Sequence, residues 1–293
     1  MATQPQIDSP LLVPFDGSYT REQLDMAHIP EQGDIRPKKV LEDKTAEMAD
    51  LARALYAGRH NSVLFLFQAL DAAGKDGTIR RVFSGIDPQA MHAASFKAPT
   101  ELERRHDIFW RTNKHLPARG CVSVFNRSYY EEVLIVKVHP QFLGGQYPGG
   151  IPDTDLLWPA RYSAIREHEK HLADAGTLIV KFWLQVSAEE QRRRFLSRLD
   201  EPRKRWKFNP NDVREAGYRD QYMDAVVDMV NETSRPWAPW LLIPADNKNI
   251  MRAQVASIAA KALRGLNPQY PPPDKDIIEQ LDAHRENLAN SGT

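Results

Sequence analysis

The sequence predicts a three-layer α/β fold, a parallel sheet covered by helices on both faces, and three observations carry that reading. Short apolar runs alternate with amphipathic stretches at least four times along the 293 residues. The first run, Val63-Leu64-Phe65-Leu66-Phe67, is continuous and bounded by polar residues, as in a strand buried on both faces. It ends in a small-residue loop, Ala72-Ala73-Gly74-Lys75-Asp76-Gly77, after which helical spacing resumes from Thr78 to Phe83. Strand, tight loop and helix form the setting in which backbone N–H groups and a helix N-terminus cradle phosphate. The fold class expected is therefore the P-loop kinase type, with a parallel sheet and a helical lid.

The elements follow in order. Residues 1–36 are rich in proline and polar residues with little period, and should form an arm over the surface or partly disordered. An amphipathic helix runs from Lys38 to Ala57 and stops at Gly58. After the phosphate loop and its helix, Gly85-Ile86-Asp87-Pro88 is a turn and Met91 to Phe96 a second strand. Thr100 and Glu103 make a capping box opening a helix to about Leu116, and Cys121 to Phe125 is a third buried strand. Residues 140–160 are rich in glycine and proline and read as a loop or surface insertion, with no role assigned. A helix from Arg161 to Ala175 and a strand from Thr177 to Val186 continue the alternation. Ser187 and Glu190 form a second capping box, opening a helix that carries Arg192, Arg193, Arg194 and Arg198. A helix from Tyr218 to Val230, a strand over Leu241–Pro244 and a helix from Ile250 to Leu263 complete the series. The organisation expected is an arm (1–36), one kinase domain (37–270) with a lid at about 192–218, and a tail (271–293).

Composition narrows the function classes. With 42% hydrophobic residues the chain can build a sizeable core, and 39 Lys+Arg against 39 Asp+Glu leave no global field to draw a polyanion. An anionic ligand must then find a local basic channel. One cysteine, Cys121, excludes an internal disulfide and a multi-cysteine metal site. No basic segment precedes an apolar core at the N-terminus and no apolar stretch approaches membrane-spanning length, so a cytoplasmic protein without a membrane partner is expected.

Four groups of residues bear on chemistry. The loop matches G-x-x-x-x-G-K-[ST] in part: Gly74 and Lys75 hold, but Ala69 replaces the first glycine and Asp76 follows the lysine. Lys75 offers a compact charge to phosphates, and Asp71 a carboxylate to Mg²⁺ or a nucleophile. Asn126-Arg127-Ser128 follows the third strand, at the sheet edge where ligands sit; Asn126 can coordinate a metal but not neutralise it. Arg127 there needs an anionic partner, either a ligand or a carboxylate such as Glu131. Eight Lys or Arg lie between Arg192 and Lys207, with Arg194 and Arg198 on one helix face. Next to a phosphate loop they read as a lid that closes over phosphates, and Trp206 as a residue that packs or stacks on a base. His168-Glu169-Lys170-His171 lacks the HExxH spacing and reads as a solvated helix face.

These stretches resemble the family-2 polyphosphate kinases. Leu70–Thr78, Phe125–Leu134, Arg194–Asp200 with Trp206-Lys207-Phe208, and Ala238–Trp240 with Ile243–Asp246 carry the likeness, which spans residues 38–268. The resemblance implies phosphoryl transfer between inorganic polyphosphate and AMP or ADP, with Mg²⁺ or, in its place, Mn²⁺, by a homodimer or homotetramer with no nucleic-acid partner. It implies a catalytic set of Asp71, Lys75, Asn126, Arg127 and Arg198, with Asp71 and Asn126 at the metal. Phosphate would lie on Ala73, Gly74, Lys75, Asp76, Gly77 and Thr78 with Arg127, Arg194 and Arg198, and nucleotide on Asn126, Glu131, Trp206 and Lys207. Asn126, where many members have aspartate, looks like the class III subgroup that accepts both AMP and ADP. Two rivals remain: an ATP-dependent nucleotide kinase, which would want serine or threonine at position 76, and a non-catalytic polyanion-binding protein, which would have no need of Asp71.

Overall fold

Five parallel strands, β1 (Ser62–Gln68), β2 (Met91–Ser95), β3 (Val122–Asn126), β4 (Thr177–Gln185) and β5 (Trp240–Pro244), lie in the order β2-β3-β1-β4-β5. The computed structural model describes residues 5–27 and 36–290. Its helices are α1 (Arg21–Met26), α2 (Pro37–Gly58), α3 (Lys75–Val82), α4 (Glu101–Arg104), α5 (Trp110–Asn113), α6 (Ile135–Val138), α7 (Thr154–Asp174), α8 (Ala188–Asp200), α9 (Pro210–Ala216), α10 (Arg219–Thr233), α11 (Lys248–Gly265) and α12 (Lys275–Asn290).

Every residue of β1 and β4 is buried, because alternate side chains enter two separate cores. Val63, Phe65 and Phe67 face Val180, Phe182 and helices α2, α3 and α11; Leu64 and Leu66 face Trp183 and α7 and α10. Phe65, Phe67, Phe83 and Phe182 stack or meet edge to face at 4.8–6.1 Å between centroids, which fixes α3 and the loop before it against the sheet.

The structure corrects several element readings. The helix expected from Thr100 to about Leu116 is two single turns, α4 and α5. The Thr100–Glu103 capping box forms, but Asp107 Oδ1 accepts from Phe109 N–H and restarts the chain as a turn. Helix α7 begins seven residues before Arg161: Asp153 caps it and Pro159 is absorbed in its second turn. At Ser187 only half of the second capping box exists, since Glu190 turns instead to Arg193 and Arg194. Of the two readings of the arm, its described part follows the first and lies against the domain surface. Val13 N–H donates to Trp240 O and Leu242 N–H to Leu11 O, so residues 11–13 cover the free edge of β5, with Ile7, Val13 and Leu24 buried. Residues 1–4 and 28–35 of the arm lie outside the described residues. The tail contains α12, whose described side chains are all exposed. None of the helices among the described residues is long and apolar enough to cross a membrane.

Candidate active site

In the order β2-β3-β1-β4-β5 the chain leaves β1 toward β2 and leaves β3 toward β4, so the crevice between the carboxyl ends of β1 and β3 is a topological switch point. The register places Asn126 beside Phe67, which brings the segments after the two strands together. A cleft of about 940 Å³ opens there, lined by basic side chains that outnumber acidic ones two to one, although the whole chain is neutral.

Ala72 (φ 64°) and Gly74 (φ 108°) take left-handed backbone, which turns the chain from β1 into α3 within a few residues. Helix α3 starts at Lys75, three residues before the expected start, so Lys75, Asp76 and Gly77 form its first turn. The first helical bond runs from Thr78 N–H to Gly74 O, which leaves the preceding N–H groups for an anion. Lys75 Nζ donates to Ala69 O at 2.8 Å and Leu70 O at 3.4 Å, curled under its own loop. Burial pushes its pKa down to about 8, the charge of Arg127 adds to this, and Asp71, Glu131 and Asp76 oppose.

Arg127 joins the two walls of the crevice. Its guanidinium donates to Asp71 Oδ1 at 2.6 Å and to Glu131 Oε2 at 2.8 Å, so both accounts of this arginine meet in one side chain: carboxylate partners at the mouth of a cationic cleft. Glu131, more than any other group, raises its pKa further; burial opposes and Asp71 assists. The Arg127 backbone is itself left-handed, φ 65°, a conformation that a non-glycine residue keeps only where its surroundings over-determine it. Asn126 Nδ2 donates to Asp76 Oδ1 at 2.7 Å, so the residue in the usual serine or threonine place is tied to the third strand. Across the cleft, α8, a 3₁₀ turn over Pro202–Lys207 and α9 form the lid. Arg198 Nη1 donates to Asp212 Oδ2 at 2.6 Å, and both side chains are under one-fifth exposed.

Ala73, Thr78 and Trp206, expected at the site, do not line the cleft, and Arg194, which does, is engaged otherwise. Ala73 and Thr78 do not line the cleft; Ala73 is fully buried, and the Thr78 hydroxyl donates back to Gly74 O. Trp206 is 79% exposed and does not line the cleft, whereas its neighbour Lys207 does. Arg194 is only 6% exposed and spends all five N–H donors: on Glu190, on Ala72 O and Ala73 O, and on Ala245 O and Asp246 O. With no donor left for phosphate, it props the loop from beneath and ties it to β5. Replacing it by methionine strands those carbonyls and is expected to destabilise the fold by about 3–5 kcal/mol, read as a lower denaturant midpoint; an unchanged midpoint would contradict this role. The supposed solvated face at His168–His171 is also wrong at its second residue, since Glu169 is fully buried against Lys181.

The sequence reading missed other cleft residues: Lys97 after β2, Lys248 and Arg252 at the start of α11, and Asp212 on α9. A Cβ on Gly77 would stand 3.3 Å from the Arg252 guanidinium, so this glycine lets Arg252 reach the loop. The signal available was positional, because Lys97, Lys248 and Arg252 follow strand ends at the same edge as the loop.

Comparison with known proteins agrees with this geometry. Residues 33–271 match the family model described as Polyphosphate kinase 2. An ADP-polyphosphate phosphotransferase of Rhodopseudomonas palustris is 48% identical over 234 residues, covering 80% of this chain and 81% of that protein. An AMP/ADP-polyphosphate phosphotransferase of Meiothermus ruber is 44% identical over 234 residues, covering 78% and 83%. The crystal structure of polyphosphate kinase 2 from Arthrobacter aurescens superposes with a TM-score of 0.83 at 34% identity, covering 98% of this chain and all of that one. With the switch-point cleft, the phosphate loop and the arginine-bearing lid in place, the match across nearly the whole described fold means that this chain belongs to the polyphosphate kinase 2 family.

Proposed function

We propose that the protein transfers the terminal phosphoryl group of inorganic polyphosphate to AMP, giving ADP, and to ADP, giving ATP. The observation that carries this is the basic cleft in which Lys75, Arg127 and Arg198 converge beside Asp71. Polyphosphate presents no base or ribose, so a run of cations suffices to bind it. In the transfer one phosphoanhydride bond of polyphosphate breaks and an acceptor phosphate oxygen forms a new one. That oxygen is already ionised at neutral pH, its second pKa being about 6, so no general base is required. Asp71 then has two other tasks: to hold Arg127 and to offer a carboxylate to a metal.

Mg²⁺, or Mn²⁺ in its place, fits this set on stated terms. No group of three or more His, Cys, Asp or Glu side chains among the described residues forms a cage. Asp71 Oδ2 and Asn126 Oδ1 are left when Arg127 and Asp76 have taken the other atoms, which suits an ion that arrives with phosphates. Held there by Asp71 and Asn126, such an ion would supply positive charge against that of the phosphates. A homodimer or homotetramer, a cytoplasmic setting and nucleotide contacts from Glu131 and Lys207 belong to the same proposal. Incubation with Mg²⁺, polyphosphate and AMP or ADP is expected to yield ADP and ATP; folded protein that makes product from neither acceptor overturns it.

Two further results are expected. Lys75 must be charged to hold phosphate, and its free-enzyme pKa of about 8 lies below the ordinary lysine value. kcat/KM for polyphosphate should thus be level from the acceptor's second pKa, about 6, up to pH 8 and fall above it, toward about tenfold per pH unit, a limb that Lys75→Arg should move upward. An alkaline limb unmoved in that variant would assign the titration to another group. Asn126→Asp sets a second carboxylate within hydrogen-bond distance of Asp76, adding repulsion against both Asp76 and the acceptor phosphate. The ratio of AMP to ADP rates should change; a ratio unchanged from that of the native chain would remove Asn126 as a source of acceptor breadth.

A further inference from the structure

The left-handed backbone at Arg127 must be held by something, and the buried bonds behind it show what. Lys181 lies in the middle of β4, a strand buried throughout, and has no solvent exposure. Its ammonium donates to Glu169 Oε2 at 2.7 Å, to the Tyr130 hydroxyl at 2.7 Å and to Thr233 O at 2.8 Å. Glu169, on α7 and equally buried, accepts on Oε1 from the Tyr129 hydroxyl at 2.9 Å and the Tyr130 hydroxyl at 2.8 Å. Trp240 completes the wall, with its ring 5.2 Å from the ammonium and its indole N–H on the Thr233 hydroxyl. Every donor of Lys181 and both oxygens of Glu169 have a partner.

Such a pair is no economical way to fill space. Burial presses both groups toward neutrality, raising Glu169 and lowering Lys181 to about 8, and apolar side chains of similar volume would pack without that opposition. What it provides and an apolar pair cannot is directional bonds to two neighbouring hydroxyls. Tyr129 and Tyr130 are the second and third residues after Arg127 and begin the 3₁₀ turn that carries Glu131. The near side of the same turn is fixed by Arg127 N–H on Phe67 O and by Gln68 Nε2 on Ser128 Oγ. None of Tyr129, Tyr130, Glu169 or Lys181 lines the cleft, so any effect on catalysis must pass through the turn.

We propose that the buried Glu169–Lys181 pair is a positioning device: by anchoring the Tyr129 and Tyr130 hydroxyls it holds the Arg127 turn so that the guanidinium stands between Asp71 and Glu131. The inference rests on the phosphotransferase reading above. All four residues are positioning residues, and the substrates never touch them.

The test replaces both tyrosines by phenylalanine, which keeps the rings and the ion pair, and in parallel replaces the pair as Glu169→Gln with Lys181→Met. Each is assayed per folded molecule in the native background and in an Arg127→Lys background. Displacement of the guanidinium is expected to lower kcat about 10- to 100-fold, with both KM values within about twofold, and to add less than about twofold once Arg127 is lysine. A loss of melting temperature with unchanged kcat, or the same fold-loss in both backgrounds, assigns the network to stability alone and overturns the inference. Absence of turnover by the native chain is a separate outcome and overturns the phosphotransferase reading with it.

Discussion

Asp71→Asn lowers kcat by about 10²- to 10³-fold with both acceptors, the size of effect that follows loss of one preorganised charge in a site. Asp71 acts on three things at once: the Arg127 guanidinium it accepts from, the loop lysine whose charge it supports, and the metal it is proposed to hold. An amide of the same shape keeps a hydrogen-bond acceptor for Arg127 and removes the charge. The alkaline limb of kcat/KM should therefore also move below its native position near pH 8, because Asp71 is one of the groups that raise the Lys75 pKa against burial. Global stability should barely change. The Asp71–Arg127 pair is about one-third exposed on each side and Arg127 keeps Glu131, so the expected loss is within about 1 kcal/mol. The measurement is kcat for AMP and ADP over pH with a melting curve for each variant. A variant within twofold of native kcat would take Asp71 out of the catalytic set.

Asp71 was legible because its evidence is local: a buried run, a small-residue loop and a lysine occupy consecutive positions, and β1, the loop and α3 form there. Asn126 and Arg127 were legible for the same reason, being the polar pair that ends the apolar third strand. Arg194 was not. Helical spacing puts it on the same side as Arg198, but only the packing of α8 under the loop reveals that its donors end on Ala72, Ala73, Ala245 and Asp246. Glu169 was hidden in a charged tetrapeptide that looks solvated in any window of α7. The visible sign lay elsewhere, at Lys181 in the middle of an apolar strand, since a buried charge requires a partner. The early start of α7 through Pro159 and the break between α4 and α5 escaped because one side-chain bond to the backbone, the Asp153 cap in the first case and the Asp107 turn in the second, outweighs propensity over a few residues.

The largest loss is expected at the lid. Arg198→Ala should reduce kcat about 10³-fold or more, as removal of an arginine that stabilises a transferring phosphoryl group does. Arg198→Lys should recover only part, because a point charge cannot reproduce the planar fork. The structure adds a partner to this argument. Arg198 is held by Asp212, whose pKa is raised first by burial and next by the charge of Asp71, so the lid carboxylate lies within the field of the loop carboxylate. Two like charges within one cleft repel, unless Arg198 or a cation stands between them. Phosphate entering the cleft must also compete with Asp212 for the guanidinium. Asp212→Asn weakens that competitor and should lower KM for polyphosphate while leaving kcat within a small factor, the reverse of the pattern at Arg198. Steady-state kinetics on the two variants with polyphosphate of fixed length separates the roles. If Asp212→Asn instead loses kcat as heavily as Arg198→Ala, Asp212 is part of the closed site, aligning Arg198 on the phosphoryl group rather than restraining it in the free enzyme.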